Sequence, residues 1–167
     1  MGEDVAVVGL YCDFRAQHST VNMLGAMLKQ LAIRGGEMSE HIREAFEKAK
    51  KEFGGRGLQL AEMLNILKKT IASLPRLFIC IDAVDECTPK HRKELIESLR
   101  EIIRELPGAR VFLTGRPHIE NEIMTCFSNV LRIPLSPTHG DVVGYLEMRL
   151  DRDTDPKQWT TNCGRIL

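Results

Sequence analysis

Residues 77–86 read LFICIDAVDE, an unbroken apolar run that ends in a cluster of acids. A short continuous apolar run bounded by Pro75 and by carboxylates predicts a fully buried strand of the kind found in parallel sheets. Such a strand would hold Asp82 rigidly at its carboxyl end. This stretch therefore indicates both the class of fold and the place where a site is expected.

Outward from this run, segments with strand-like and helix-like patterns alternate along the chain. The predicted strands are 5–12, 77–82, 110–114 and 130–133, and the predicted helices are 19–32, 39–53, 60–74, 88–106, 119–126 and 141–150. This alternation predicts an α/β domain with a mostly parallel sheet and helices on both faces. Parallel sheets bind ligands at the carboxyl ends of their strands, so sites are expected after residues 12, 81, 114 and 133.

The bulk composition is that of one globular domain. Of the 167 residues 43% are apolar and 28% charged, with 23 basic and 23 acidic side chains. This balance gives no sign of a nucleic acid or membrane partner, and no apolar run reaches the roughly 20 residues that span a bilayer. Five scattered cysteines without a CxxC pair argue against zinc. A cytoplasmic protein with reduced thiols is expected.

The acids after the central strand are candidates for metal-assisted phosphate chemistry. At this edge of the sheet, Asp82 is placed to orient a hydrated Mg²⁺, and Asp85 or Glu86 to polarise an attacking water as a general base. The alternative is that Asp82 only ends the strand, while the other two acids begin the next helix, where the helix dipole favours them. A helix following directly after D-A-V-D-E favours the first interpretation.

The next strand is followed by the turn Thr114-Gly115-Arg116-Pro117. In a parallel sheet this turn would lie beside the acidic cluster, so Arg116 is placed to contact a γ-phosphate or the acids themselves. Taken alone, it would be an exit turn with an arginine facing solvent.

Other charged positions near the strand ends carry weaker predictions. Asp13 and Arg15 follow the first strand and face the site or form a simple exit turn, the second being favoured. Lys90, Arg92 and Lys93 begin a helix and are expected to form a solvated face.

The segments LFICIDAVDEC and RVFLTGRP, separated by an amphipathic helix, resemble the NACHT domain of the STAND class of P-loop NTPases, especially the fungal NOD-like receptor type. The first strand with its helix and the segment IPLSPTHGDVVGYLEMRL extend the resemblance over residues 5–150. In that family the acidic segment is the Walker B motif, and the TGRP-like turn is the sensor 1 region. The resemblance implies a P-loop NTPase-like three-layer sandwich.

The resemblance also implies functional roles. Asp82 would orient Mg²⁺ through water, Asp85 and Glu86 would position or activate the hydrolytic water, and Thr114 and Arg116 would belong to the γ-phosphate sensor. The implied cofactors are Mg²⁺ with ATP or GTP. The implied partners are the other signalling domains of a parent protein.

One motif of the family is absent from these 167 residues. The sequence contains no GxxxxGK[ST], whose backbone amides and lysine hold the phosphates. The resemblance begins at the family's second strand, so residues 1–150 are expected to form a partial domain, and 151–167 a poorly ordered polar tail. Because the absent strand is an inner one, self-association or a rearranged sheet is expected.

Three functions remain open at this point. The first is a fragment of a nucleoside-triphosphate-dependent signalling switch, with doubtful nucleotide binding and turnover on its own. The second is a truncated or degenerate module that acts in protein–protein association without turnover. The third is another Mg²⁺-dependent phosphotransfer fold of the haloacid dehalogenase type, which would require D-x-D where this chain has D-x-x-D-E.

Overall fold

The computed structural model describes residues 5–16, 18–33, 43–44, 47 and 57–152. The chain divides into two compact units, Met1–Val130 and Leu131–Leu167. The predicted helix 39–53 lies mostly outside the described residues, although Arg43, Glu44 and Glu47 are helical. The predicted tail 151–167 also lies outside them, apart from the two residues that end the last helix.

In addition to the helical residues Arg43, Glu44 and Glu47, the described part of the first unit contains three strands and four helices. They are β1 (Val5–Tyr11), α1 (Thr20–Ile33), α2 (Leu60–Ala72), β2 (Arg76–Asp82), α3 (Pro89–Glu105), β3 (Ala109–Leu113) and α4 (Glu120–Cys126), with short 3-10 turns at Val84–Glu86 and Pro117–Ile119. The second unit contains α5 (His139–Arg152).

The three strands form one parallel sheet in the order β1-β2-β3. Tyr11 pairs with Asp82, and Ile81 pairs with Leu113, so the carboxyl ends of all three strands meet at one edge. The expected α/β architecture with a parallel sheet is therefore confirmed, and the strand that carries the acids is the central one.

The ends of the helices follow from local sequence. Pro89 is the first residue of α3, and the Thr88 side chain accepts a hydrogen bond from the backbone N–H of His91, which satisfies a free amide of the first turn. In the second unit, Thr138 and Asp141 cap α5 reciprocally. Thr138 donates to the Asp141 carboxylate at 2.8 and 2.7 Å, and the Asp141 N–H donates to the Thr138 hydroxyl at 3.2 Å.

The core of the first unit lies on one face of the sheet, where α1, α2 and α3 pack. Leu10, Val111 and Leu113 are partly buried on this face, and six other strand residues there are nearly inaccessible to solvent: Ala6, Val8, Leu77, Ile79, Ile81 and Ala109. On the opposite face Val7 is 64% exposed, Phe78 43% and Phe112 56%. A second helical layer is not among the described residues of this unit, so we call the surface of Val7, Phe78 and Phe112 the open face.

The two edges of the sheet differ as well. Along β1 the side-chain amide of Gln30 bonds both backbone groups of Gly9, accepting from its N–H at 2.9 Å and donating to its C=O at 2.7 Å. Along β3 the alternation of a parallel ladder directs the backbone groups of Val111 and Leu113 away from β2. In the described part of the chain, a side-chain amide therefore shields the outer edge of β1 but not that of β3.

The predicted strand 130–133 was wrong. These residues form no strand, and Leu131 and Ile133 are 84% and 62% exposed. A strand is stabilised by ladder hydrogen bonds to a neighbour, and no strand in the described residues pairs with this segment. Among the described residues, no helix is long and apolar enough to cross a membrane.

Candidate functional site

Thr114 joins the ends of β2 and β3. Its N–H donates to the carbonyl of Ile81 at 2.9 Å, and its carbonyl accepts from the N–H of Val84 at 3.0 Å. Its hydroxyl accepts from the N–H of Ala83 at 2.9 Å and donates to the Asp82 carboxylate. One side chain therefore fixes both the backbone after β2 and the orientation of the acid that ends it.

Ala83 gives the acidic turn its direction. It adopts φ 55° and ψ 44°, a left-handed conformation that L-residues avoid at a cost of about 1–3 kcal/mol. The conformation turns the chain sharply into the 3-10 turn that carries Asp85 and Glu86. Because its N–H is bonded to Thr114, the strained residue is held by the neighbouring strand.

Arg116 and the two acids of the turn form one charged cluster. The backbone N–H of Arg116 donates to Asp85 Oδ1 at 3.3 Å, and its Nε lies 3.5 Å from Asp85 Oδ2. Its Nη2 lies 3.5 Å from Glu86 Oε1. The side chain of Asp85 is 4% exposed, that of Glu86 20% and that of Arg116 71%. The predicted proximity of arginine and acids is thus present, with Asp85 innermost.

Gly115 allows this close approach. A Cβ atom at this position would lie 2.7 Å from Cδ1 of the buried Ile119 and 3.3 Å from Cγ1 of Val84. A larger residue would require the end of the Ile119 side chain to move, so the glycine of the TGRP segment lets the two turns pack closely.

Arg92 supports the acidic turn from behind, contrary to the expected solvated face. Its side chain is 13% exposed, its Nε donates to Glu122 at 2.9 Å, and its Nη1 donates to the carbonyls of Cys87 at 3.2 Å and Asp85 at 3.5 Å. The position of Arg92 in the sequence could have indicated this contact with the acidic turn. Arg92 lies one helical turn after Thr88, and helical side chains lean toward the N-terminus, here toward the turn.

The end of β1 contributes through its backbone. The Asp13 side chain accepts from the N–H of Arg15 at 2.8 Å and so closes its own exit turn, as the favoured alternative predicted. The N–H of Phe14 donates to Glu86 Oε2 at 3.3 Å. Glu86 is therefore held between the β1 turn and Arg116, a contact that the sequence did not indicate.

Two thiols lie behind the turn. Sγ of Cys12 and Sγ of Cys87 are 3.0 Å apart, and the Met23 sulfur is 4.0 Å from Cys87. The hydrogen bond with Cys87 and burial raise the pKa of the Cys12 thiol. The same hydrogen bond, helped by the charge of Arg92, lowers the pKa of Cys87. The two sulfur atoms are thus in direct hydrogen-bond contact behind the turn.

The oxygen ligands at the sheet edge suit a Mg²⁺ ion that is bound partly by the protein and partly by the phosphates of a nucleotide. Asp82 is exposed, its carboxylate is oriented by Thr114, and carboxylate and hydroxyl oxygens are the hard ligands this ion takes. Within the described ranges, no group of three or more His, Cys, Asp or Glu side chains could hold a metal by itself. Mg²⁺ usually completes its shell with water and substrate phosphates.

Comparison with known families gives a match to the model of nephrocystin 3, N-terminal, over residues 2–116. The chain belongs to this family. The match runs from just before β1 through Arg116, so it includes every residue of the charged cluster. No curated protein matches the chain.

Among solved structures, the chain is similar to the Orc1 protein of Aeropyrum pernix, solved in complex with DNA. The two share 20% sequence identity with a TM-score of 0.51. The likeness covers 91% of this chain but 36% of the other, so this chain spans about a third of that protein. At this identity the likeness shows the fold alone, which is P-loop NTPase-like.

Proposed function

We propose that this chain supplies the magnesium and γ-phosphate side of a nucleoside triphosphate site in a NACHT-type regulatory switch. One observation carries the proposal: Asp82, Glu86 and Arg116 converge at the carboxyl edge of a parallel sheet, where folds of this class bind ligands. The phosphate-binding loop of such a site is not part of the 167 residues, so this chain alone is expected to bind nucleotide weakly.

In this proposal Asp82 orients Mg²⁺ through water. Its carboxylate accepts the Thr114 hydroxyl, which selects one orientation of the side chain without neutralising its charge. When bound together with ATP or GTP, Mg²⁺ would supply electrophilic stabilisation of the transferred phosphoryl group. Thr114 acts here as a positioning residue, and its contact with Ala83 couples the acid to the turn.

The two acids of the turn have different environments, which supports a division of roles. Asp85 is almost inaccessible and holds both the backbone and the side chain of Arg116, so it positions the cluster. Glu86 makes contacts of the same lengths but is five times as exposed, which leaves it able to orient an attacking water. We therefore assign the water-positioning role to Glu86 ahead of Asp85.

Arg116 supplies the switch. Its side chain is mostly exposed, and its contacts with the acids are at 3.5 Å, longer than a tight charge-assisted hydrogen bond of about 2.7–2.9 Å. A γ-phosphate at the sheet edge would present two oxygens to the guanidinium, and this bidentate contact would replace the contacts of Arg116 with the acids. Moving the guanidinium would release Glu86 and report the state of the nucleotide to the rest of a parent protein.

A paramagnetic titration tests the site on the chain as it exists. Mn²⁺ with ATP, followed by amide NMR, should broaden signals around Asp82, Thr114 and Arg116, and Asp82→Asn should remove the effect. Asp13→Asn is the matched control, because Asp13 ends the neighbouring strand but lies outside the cluster. Broadening centred elsewhere, or unchanged in Asp82→Asn, would contradict the assignment. A micromolar affinity would contradict the expected weak binding.

The open face favours a second function, association between copies of this chain without turnover. Val7, Phe78 and Phe112 present apolar surface on one side of the sheet, and exposed apolar patches commonly mark interaction sites. Sedimentation velocity over a concentration series should show association that Phe78→Ser with Phe112→Ser weakens. Phe14→Ser, an exposed aromatic in the loop after β1, is the control. A monodisperse monomer at high concentration would contradict this function.

The genomic sequence upstream of Met1 separates the two functions. An in-frame GxxxxGK[ST] within roughly 20–40 residues, the size of a strand–loop–helix unit, would favour the nucleotide switch. A stop codon in that interval would favour the association module.

A further inference from the structure

Cys12 and Cys87 come from distant parts of the chain to one point behind the acidic turn. They are 75 residues apart in sequence, yet their sulfur atoms are 3.0 Å apart. Both backbones are anchored: the Cys12 N–H donates to the Asp82 carbonyl at 3.0 Å, and the Cys87 N–H donates to the Val84 carbonyl at 3.3 Å. The pair is therefore held together by the fold.

The distance is close to that needed for a covalent bond. A disulfide has a sulfur–sulfur length of about 2.05 Å, so the two atoms need to approach by about 1 Å, which small side-chain rotations provide. Both residues have free thiols, as do Cys80 and Cys126. In the described part of the chain, Cys12 and Cys87 form the one cysteine pair whose sulfur atoms are in contact.

We propose that Cys12 and Cys87 are a site of oxidative modification that closes to an internal disulfide in the presence of a peroxide. Cys87 reacts first, because it is partly exposed, whereas Cys12 is 4% exposed. Its sulfur attacks the peroxide oxygen, a sulfur–oxygen bond forms, the oxygen–oxygen bond breaks, and one water leaves. The product at Cys87 is a sulfenic acid.

Cys12 then resolves this intermediate. Its sulfur attacks the Cys87 sulfur, the disulfide forms, and the sulfur–oxygen bond breaks, with the departing oxygen taking the Cys12 proton to leave as water. The two thiols lose two electrons and two protons in total, and hydrogen peroxide is reduced to two waters. The inference is independent of the proposed nucleotide site.

The disulfide would join the end of β1 to the acidic turn. Cys87 directly follows Glu86, and Phe14, two residues after Cys12, already donates to the Glu86 carboxylate. The bond would therefore fix the position of Glu86 relative to the end of β1. A reducing agent would restore the free turn.

Peptide mapping tests the proposal. The 167-residue chain is treated with hydrogen peroxide, alkylated, digested without reduction and analysed by mass spectrometry. We expect a Cys12–Cys87 linked peptide, while Cys80 and Cys126 remain alkylated. The same treatment in urea should lose this selectivity, because the contact depends on the fold. Separate alkylation of Cys12 and Cys87, pairing of either with another cysteine, or an equal yield in urea would overturn the proposal.

Variants give a second readout. In Cys12→Ser the resolving thiol is absent, so Cys87 should accumulate sulfinic acid instead of a cross-link. Cys126→Ser is the control and should form the linked peptide in full yield. If Cys12→Ser does not fold, Cys87→Ser decides: Cys12 should then stay reduced, and its rapid oxidation would contradict the order of steps.

Discussion

The two faces of β2 differ in solvent exposure, although their residues alternate along one seven-residue strand. Leu77, Ile79 and Ile81 point to the helices and are at most 1% exposed. Phe78 and Asp82 point to the other side and remain accessible. One face therefore determines whether the chain folds, while the other face and the strand end are available for binding.

This difference separates stability from function within the same element. We call the surface of Leu77, Ile79 and Ile81, on which the helices pack, the covered face. Changes on the covered face should lower the free energy of unfolding and affect binding only indirectly, through the loss of folded protein. Changes on the open face should leave the fold intact and affect association. Changes in the acidic turn should lie between these extremes, because its polar groups are partly buried and bonded to one another.

The largest effect is expected at Ile79. Ile79→Ala removes three carbon atoms from the centre of the core and should lower the free energy of unfolding by about 2–5 kcal/mol, since the surrounding helices relax only partly. Urea denaturation followed by circular dichroism measures this loss. A loss below about 1 kcal/mol would mean that the two faces are not as different as their exposure indicates.

Two adjacent valines in β1 give the matched control. Val8 is 1% exposed on the covered face, and Val7 is 64% exposed on the open face. Substitution by alanine removes the same atoms from each. Val8→Ala should cost about 2 kcal/mol, whereas Val7→Ala should stay within about 0.5 kcal/mol. Equal losses would contradict the one-sided packing of the sheet.

The next effect is expected at Thr114. Thr114→Val keeps the shape but removes the hydroxyl, which leaves the Ala83 N–H without its acceptor and the Asp82 carboxylate without its donor. The cost should be about 1–3 kcal/mol, and amide exchange at Ala83 should accelerate. Thr114→Ser retains the hydroxyl and should retain slow exchange. Fast exchange in both variants would show that the hydroxyl does not hold the strained turn.

The sequence predicted the sheet well because its signals are local. The apolar run ending at Asp82 and the cap at Thr88 each specify an element without reference to distant residues. The predicted strand 130–133 failed because a strand is stabilised by its neighbour, and an apolar pattern does not show whether that neighbour exists. The open face was not foreseen for the same reason: an unbroken apolar run predicts burial on both sides.

The candidate site divides in the same way. Strand order brought Arg116 beside the acids, as the alternation of strands and helices predicted. The contact of Cys12 with Cys87 and the bond from Phe14 to Glu86 depend on how β1 is placed against the turn, which no local pattern encodes. Whether Asp82, Asp85, Glu86, Thr114 and Arg116 act on a nucleotide stays a prediction.

Substitution of Arg92 should have an intermediate effect on the free energy of unfolding. This effect distinguishes an arginine that supports the acidic turn through hydrogen bonds from one that is only a surface charge. Arg92→Met keeps much of the apolar stem but leaves the Asp85 and Cys87 carbonyls and Glu122 without their donor, at about 1–3 kcal/mol. Arg100→Met on the exposed side of α3 should change stability by less than about 0.5 kcal/mol. Equal effects of the two substitutions would mean that Arg92 does not support the turn and belongs to a solvated face, as the sequence indicated.

The smallest effect is expected on the outer surface of the helical layer, where Lys68 of α2 lies 2.6 Å from Glu101 and 2.9 Å from Glu105 of α3. Hydrogen bonds to Glu101 and Glu105 raise the pKa of Lys68, and the hydrogen bond from Lys68 lowers the pKa of Glu105. The carboxylate contribution is therefore complete above the unfolded pKa of about 4.3 and is lost as pH falls through the lower folded pKa.

Lys68→Met should then lower the urea midpoint slightly at neutral pH and much less in acid, where Glu105 is protonated in wild type and variant alike. At high pH the difference should shrink again, because the lysine contribution is lost as pH rises through its raised folded pKa. Lys69 is the exposed neighbour on the same helix, and Lys69→Met should change the urea midpoint equally little at all three pH values. A Lys68→Met difference that is constant with pH would mean that Lys68 acts through the packing of its stem, as a covered-face residue would, and not through its charge.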